Sequence, residues 1–391
     1  MAWEIAWAYL SIDYGEVIGT MSDVTQRMVI KNNLNGNKIR VKFTNKYGVK
    51  PLLFKRVTAQ IENMPPVAIT LNESQQVEIP VGKDIYSDEC ILHVKAGQEI
   101  TICLYAELEV EVRSICVTWA AKSWHCDIAR GDTTNLENCT TFNSPELYDF
   151  LEQDVHKSTA VCGICEVQIL AEEPVNTVAL FGDSITHMSY YCDLLEEKLY
   201  AQYPGKVTVV NAGIGGNRLC WDATYVRGIP GNGRLFGEAG RTRFENDIFG
   251  SVKPNVVISL IGINDLVHGV AFNIANQIVS SKDLINEMQE IIEVAHRHKT
   301  KIYLCTIMPF LYDNIEWPTQ KIERQRKLCN EWICSQQESD GVFDFAAAVN
   351  DADNPNHMLE NCHLGDGIHP NFEGGAKMVD AIDLKKLMEG K

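Results

Sequence analysis

Val175-Asn176-Thr177-Val178-Ala179-Leu180-Phe181 runs directly into Gly182-Asp183-Ser184-Ile185-Thr186. The first seven residues are mostly apolar, which suits a strand buried on both faces of a parallel sheet. Helical patterning resumes near Tyr190 with Tyr191, Leu194, Leu195, Leu199 and Tyr200. Ser184 therefore falls at a strand-to-helix corner, where parallel sheets place their ligand sites. A serine there is a candidate nucleophile if the chain also supplies a base and an oxyanion hole.

Near the C-terminus, Gly365-Asp366-Gly367-Ile368-His369-Pro370-Asn371 sets an acid three residues before a histidine. On a helical turn that spacing puts both side chains on one face, so the carboxylate can accept from imidazole Nδ1 while Nε2 takes the Ser184 proton. Two further apolar runs end in turns rich in glycine or amides. Val207 to Val210 leads into Asn211-Ala212-Gly213-Ile214-Gly215-Gly216-Asn217, and Val256 to Ile261 leads into Gly262-Ile263-Asn264-Asp265. The N–H of Gly216 and the Asn264 amide can converge with the Ser184 N–H on a developing oxyanion. His363 also lies three residues from Asp366, on its other side, and gives an alternative acid–histidine pair.

Four such blocks in this order resemble the SGNH/GDSL hydrolase family, whose blocks carry the Ser, Gly, Asn and His of its name. The resemblance covers roughly residues 174–388. It implies Ser184 as nucleophile, Gly216 and Asn264 as oxyanion donors, and Asp366 with His369 as the remaining pair. It also implies a flavodoxin-like three-layer α/β/α domain with a parallel sheet. His369 is preferred to His363 because the family pattern places His after Asp and because Pro370-Asn371 suits a helix start. The chain departs from the pattern at His187-Met188, since relatives often carry glycine four residues after the serine. Thr186 also breaks the Gly-x-Ser-x-Gly elbow, which argues against the α/β-hydrolase family proper.

The 391 residues suggest two domains, and 45% hydrophobic with 22% charged residues is ordinary for a globular protein. A formal net charge of −17 disfavours nucleic acid and anionic membrane surfaces as partners. No apolar stretch approaches the ~20 residues needed to cross a bilayer. Met1-Ala2-Trp3-Glu4-Ile5 has no basic region and an early acid, so no secretory leader is expected. Thirteen cysteines without framework spacing read as free thiols in a reducing cytoplasm. Cys162-Gly163-Ile164-Cys165 has no second pair to complete a zinc site. No metal or organic cofactor is expected, and a homo-oligomer is compatible with the chain.

Residues 20–118 follow a different grammar, alternating apolar and polar positions as in Lys38-Ile39-Arg40-Val41-Lys42-Phe43 and Gln76-Val77-Glu78-Ile79. Glu99-Ile100-Thr101-Ile102-Cys103-Leu104 continues it, and turns are expected at Asn35-Gly36-Asn37, Val81-Gly82-Lys83 and Ala96-Gly97-Gln98. An all-β sandwich, jelly-roll-like, is expected over 1–172, followed by the hydrolase domain over 173–391. Phe43-Thr44-Asn45-Lys46-Tyr47-Gly48, with Pro51-Leu52, is similar to a segment of bacterial SGNH proteins that carry an N-terminal β-sandwich. That sandwich is read as a carbohydrate-binding module, a wall of the catalytic pocket, or scaffold. Trp119 and Trp124 could stack on a sugar or be buried. In the second half, strands should end near Phe181, Asn211, Ile261, Thr306 and Asp344, with helices over 190–202, 241–249, 281–299, 317–337 and 371–388.

The function expected is hydrolysis of short acyl esters, chiefly acetyl, on a carbohydrate or small metabolite. Thioesterase or lysophospholipase chemistry and a non-catalytic carbohydrate-binding protein on a hydrolase scaffold are the alternatives. Substrate contacts are assigned to Asp183, His187, Arg218, Trp221, Asp265 and His363. The long segment from Arg218 to Arg243 is read as substrate wall, or else as a solvated excursion whose arginines pair with Glu238 or Glu245. His125, His156 and His268 are read as surface or interface residues.

Overall fold

The computed structural model describes residues 1–62, 64–120, 122–135, 158–251, 253–311 and 319–389. Two compact units emerge, Met1–Val175 with Glu196–Val210, and Asn176–Leu195 with Asn211–Lys391. His156 and residues 317–318 of the expected fourth helix lie outside the described residues.

The N-terminal half is built from antiparallel strands. One five-stranded sheet joins Ala2–Ala8, Ile164–Ala171, Gly36–Thr44, Asp84–Tyr86 and Cys90–Val94. Another runs Trp124–Arg130, Val24–Lys31, Glu99–Ala106, Arg56–Ile61 and Val67–Ile69. The period-two pattern places Ile39, Val41 and Phe43 inward, all without solvent exposure, beside Val167 and Ile169 of the next strand. Ile100, Ile102 and Leu104 do the same in the other sheet. This is the β-sandwich expected. The turn at Asn35-Gly36-Asn37 does not form: Gly36 opens its strand, paired with both Val94 and Ala171, so the ladder extends over the glycine. Trp124 is 1% exposed and meets Trp7 edge-on at 5.2 Å, which removes it from any sugar-stacking surface. Trp119 is half-buried.

The C-terminal half alternates strands and helices. Its elements are β1 (Asn176–Gly182), α1 (Ser184–His187), α2 (Tyr190–Gln202), β2 (Val207–Gly213), α3 (Gly240–Phe249), β3 (Val256–Leu260), α4 (Ile263–Ala271), α5 (Ser281–Arg297), β4 (Lys301–Cys305), α6 (Thr319–Ser335), β5 (Gly341–Phe343), α7 (Phe345–Val349), α8 (Phe372–Asp380) and α9 (Leu384–Met388). The sheet order is β2-β1-β3-β4-β5, the flavodoxin-like order expected, with β1, β3, β4 and β5 parallel. Buried apolar runs such as Val256, Val257 and Ile258 mark strands covered on both faces. On α5, Leu284, Met288, Ile291, Ile292 and Ala295 form one buried stripe, started by a Ser280–Asp283 capping box.

Two differences from the sequence reading have local causes. The helix over 263–271 is unexpected, because Gly262-Ile263-Asn264-Asp265 reads as a turn; Leu266 and Val267 continue it as a buried helix face. The helix expected over 371–388 is two helices, since Asp383 leaves the helical path and caps α9 by accepting from Lys385 N–H.

In this sheet order the chain leaves β1 for β2 on one side, while β3 lies on the other. Ligand sites in open parallel sheets form at that switch, beyond the carboxyl ends of the strands. The register pairs Gly182 with Leu260, so the segments after β1 and β3 emerge side by side.

Candidate active site

Asp183 is the N-cap of α1, its Oδ1 accepting from Ile185 N–H at 3.1 Å. That cap turns the chain sharply at the end of β1 and makes Ser184 the first residue of a single helical turn. Ser184 Oγ lies 2.8 Å from His369 Nε2, and His369 Nδ1 lies 2.5 Å from Asp366 Oδ2. Asp366 and His369 are not on a helical turn, as their spacing suggested. They sit in a loop closed by a bridge between His363 and Pro370, and Asp366 Oδ1 folds back to accept from the N–H groups of Ile368 and His369. Asn371 then caps α8, as Pro370-Asn371 suggested. Burial pushes the Asp366 carboxyl up, but the His369 hydrogen bond and charge, with the two backbone donors, outweigh it and hold the group well below the usual carboxylate range.

The loops after β1, β2 and β3 are tied together. Ile214 N–H donates to Gly182 O, and Gly215 N–H donates to His187 Nδ1 at 3.0 Å. Gly213 abuts α1 so closely that a Cβ would lie 2.3 Å from His187 N. Gly216 takes φ +69°, and a Cβ there would lie 2.1 Å from the Phe236 ring. Asn264 Nδ2 donates to Asn217 O at 3.1 Å, leaving its second amide hydrogen for another acceptor. Ser184 and Asn264 are both half-buried.

Most residues assigned to substrate contact serve the scaffold instead. Asp183 is 1% exposed and spent on its cap; burial pushes its pKa up to about 7, against the lowering effects of Ile185 N–H, His369 and Arg243. His187 is buried, its Nδ1 taken by Gly215. Asp265 is fully buried and accepts from Leu219 N–H at 2.7 Å and Cys220 N–H at 2.8 Å. Arg218 is buried and donates to Gln277 Oε1 and Asp222 O, not to Glu238 or Glu245. His363 is buried and accepts from two backbone N–H groups, which removes it as an alternative base. In each case a loop backbone group buried beyond the strand ends needs a partner, and the nearest polar side chain supplies it. Trp221 differs, being 37% exposed. His268, read as a surface or interface residue, is buried against Thr224 Oγ1 at 2.7 Å, and burial with the Arg218 charge pushes its pKa down to about 3.

Sequence reasoning missed Arg243. Its guanidinium lies over the Phe181 ring and donates to Gly182 O, Ala212 O, Asn217 Oδ1 and Asp247 Oδ2, so one buried cation binds the ends of β1 and β2. It also missed Asn217, whose Nδ2 donates to Phe236 O and Glu238 O. Asn217 directly follows Gly216 in the turn after β2, and that adjacency was the available signal. Among the described residues no group of three or more His, Cys, Asp or Glu could hold a metal ion, and no helix is long and apolar enough to cross a membrane. Cys162 is buried, which pushes its thiol up to about 12, and Cys165 is likewise raised by burial.

A model of the GDSL-like lipase/acylhydrolase family matches residues 180–377, just over half of the chain. The chain belongs to that family. This GDSL-like acylhydrolase is thus a carboxylic ester hydrolase. No curated protein matches it. Among solved structures it is similar to LAE5, an alpha/beta hydrolase enzyme from the metagenome of Lake Arreo, Spain, at 21% identity and a TM-score of 0.40, over 53% of this chain and 92% of that one. It is also similar to Axe2, an acetylxylan esterase from Geobacillus stearothermophilus, at 19% identity and a TM-score of 0.40, over 55% and 95%. The acetyl xylan esterase AlAXEase matches at 22% identity and a TM-score of 0.39, over 52% and 96%.

Proposed function

We propose that this acylhydrolase cleaves short acyl esters, chiefly acetyl, of a carbohydrate or small metabolite through a Ser184–His369–Asp366 triad. The observation that carries the reading is the unbroken hydrogen-bond line from Ser184 Oγ through His369 to Asp366, at 2.8 Å and 2.5 Å. Asp366 accepts from Nδ1–H and so fixes the tautomer in which Nε2 is free to take the serine proton. The alkoxide attacks the ester carbonyl, and the tetrahedral oxyanion is met by the N–H groups of Ser184 and Gly216 and by Asn264 Nδ2–H. His369 returns the proton to the leaving alcohol, then activates water against the acyl-serine.

Phe236 packs where a side chain at Gly216 would stand, which supports the turn that carries this donor. An uncharged substrate accords with the net charge of −17 and with buried charges that are already engaged in the scaffold. The division at 172/173, with the sandwich as scaffold or substrate wall, belongs to the same proposal.

Fluorophosphonate labelling and an acyl-length series of nitrophenyl esters, run beside acetylated oligosaccharides, test the reading. Label should land on Ser184, rates should fall beyond short acyl chains, and Ser184→Ala should be inert yet folded. Full esterase activity in Ser184→Ala refutes the nucleophile, and faster turnover of long-chain esters or thioesters refutes the substrate class.

A further inference from the structure

His363 is a buried histidine six residues upstream of His369, at the base of the loop carrying both Asp366 and His369. Its Nδ1 accepts from Gly365 N–H at 2.9 Å and from Gly367 N–H at 3.1 Å, the two residues flanking Asp366. Both glycines have positive φ, +97° and +69°. The loop is therefore wound around one nitrogen lone pair. Its base is closed by the His363–Pro370 bridge, by Leu364 N–H to His369 O, and by Asn371 Nδ2 to His363 O. Only an imidazole with an unprotonated Nδ1 can accept both bonds, so His363 carries its hydrogen on Nε2.

We propose that His363 is a positioning residue for the hydrolysis, its Nδ1 pinning the Gly365–Gly367 turn so that Asp366 and His369 meet Ser184 in register. The inference rests on the assignment of Asp366 and His369 to the triad. His363 holds the backbone on both sides of Asp366, and it acts by fixing where the acid stands. Displacing a catalytic group by about 1 Å can cost on the order of 100-fold in rate. The loss should fall on kcat, because the two bonds set the position of the acid and not the binding of substrate.

His363→Leu keeps the apolar volume and removes the acceptor, while His363→Asn restores an oxygen close to the position of Nδ1. His363→Leu should lose on the order of 100-fold in kcat with KM little changed, and His363→Asn should recover most of that loss. Unchanged kcat in His363→Leu, or equal impairment in a folded His363→Asn, overturns the proposal. His369→Ala is the control: if it keeps full activity, the triad reading fails, whereas an inert His369→Ala beside a fully active His363→Leu refutes the positioning role alone. Should His363→Leu not fold, nitrogen-15 NMR of histidine-labelled wild-type protein, assigned with His363→Asn, decides. An Nε2–H tautomer with an unprotonated Nδ1 supports the pin, and an Nδ1–H tautomer overturns it.

Discussion

Replacing Asp183 by asparagine should make the protein more stable above neutral pH and leave it unchanged in acid. Asp183 is buried and caps α1 through Ile185 N–H. Asparagine caps helices about as well as aspartate, so the turn that presents Ser184 is kept. What changes is the charge. Burial raises the folded-state pKa of Asp183 to about 7 from an ordinary value of 3.8. Between these values the folded protein holds a proton that the unfolded chain has released, so the contribution of Asp183 to stability falls as pH rises. The fall begins near the ordinary carboxylate value and is complete just above the raised one. A rise of about three pKa units at about 1.36 kcal/mol each amounts to about 4 kcal/mol.

The Asp183→Asn protein behaves as one whose side chain at this position is permanently neutral, so other titrating groups cancel in the difference between variant and wild type. Urea unfolding of both, at intervals from about pH 3 to about pH 8, should give curves that coincide at the acid end and diverge by about 4 kcal/mol at the alkaline end, with the variant more stable. A difference that stays flat across this range would refute the reasoning. It would mean that Arg243, His369 and the Ile185 N–H keep the carboxylate ionised throughout and fully offset its burial.

Asn264→Ala removes one of the proposed oxyanion donors and the bond to Asn217 O, and should lower kcat by about 10²–10³-fold with little change in KM, read by steady-state kinetics on a nitrophenyl acetate. A larger effect on KM than on kcat would place Asn264 in ground-state binding instead. Gly216→Ala forces a Cβ to within 2.1 Å of the Phe236 ring at φ +69°, and should cost activity and a few °C in melting temperature. Shortening the wall in Gly216→Ala/Phe236→Leu should recover part of the stability; no recovery would mean that backbone strain, not the ring, sets the cost.

The strand ends on which the proposed site is built were legible in the sequence. Ser184, Gly216 and Asn264 each stand just after an apolar run that forms a strand, and Asp366 and His369, three residues apart, meet through a hydrogen bond in a loop with no strand before it. α2 was legible because Tyr191, Leu195 and Leu199 recur at helical spacing and are all buried. Position within a tertiary network was not legible. Arg243 lies on α3 with nothing in its neighbours to show that it reaches the ends of two strands. His187, Asp265 and His363 have the residue types of a ligand site and stand next to its motifs, so they read as substrate contacts. Nothing in a one-dimensional pattern tells a polar group that faces a ligand from one that faces a buried amide.

That ambiguity has a physical origin. Beyond the strand ends the chain has left the ladder, yet it must stay buried to hold the reacting groups in place, so its amides and carbonyls need partners. Asp265 accepts two N–H groups, His363 accepts two, and His187 accepts one. Arg243 and Asn217 each donate to two carbonyls. Such satisfied networks specify one arrangement of the loops, and a preorganised arrangement is what oxyanion stabilisation requires. Asp183, Asp265 and Arg243, the charged side chains at the ends of these strands and loops, are thereby engaged. Charged groups held in this way are taken up by the loops, which is the basis for proposing an uncharged ester as substrate.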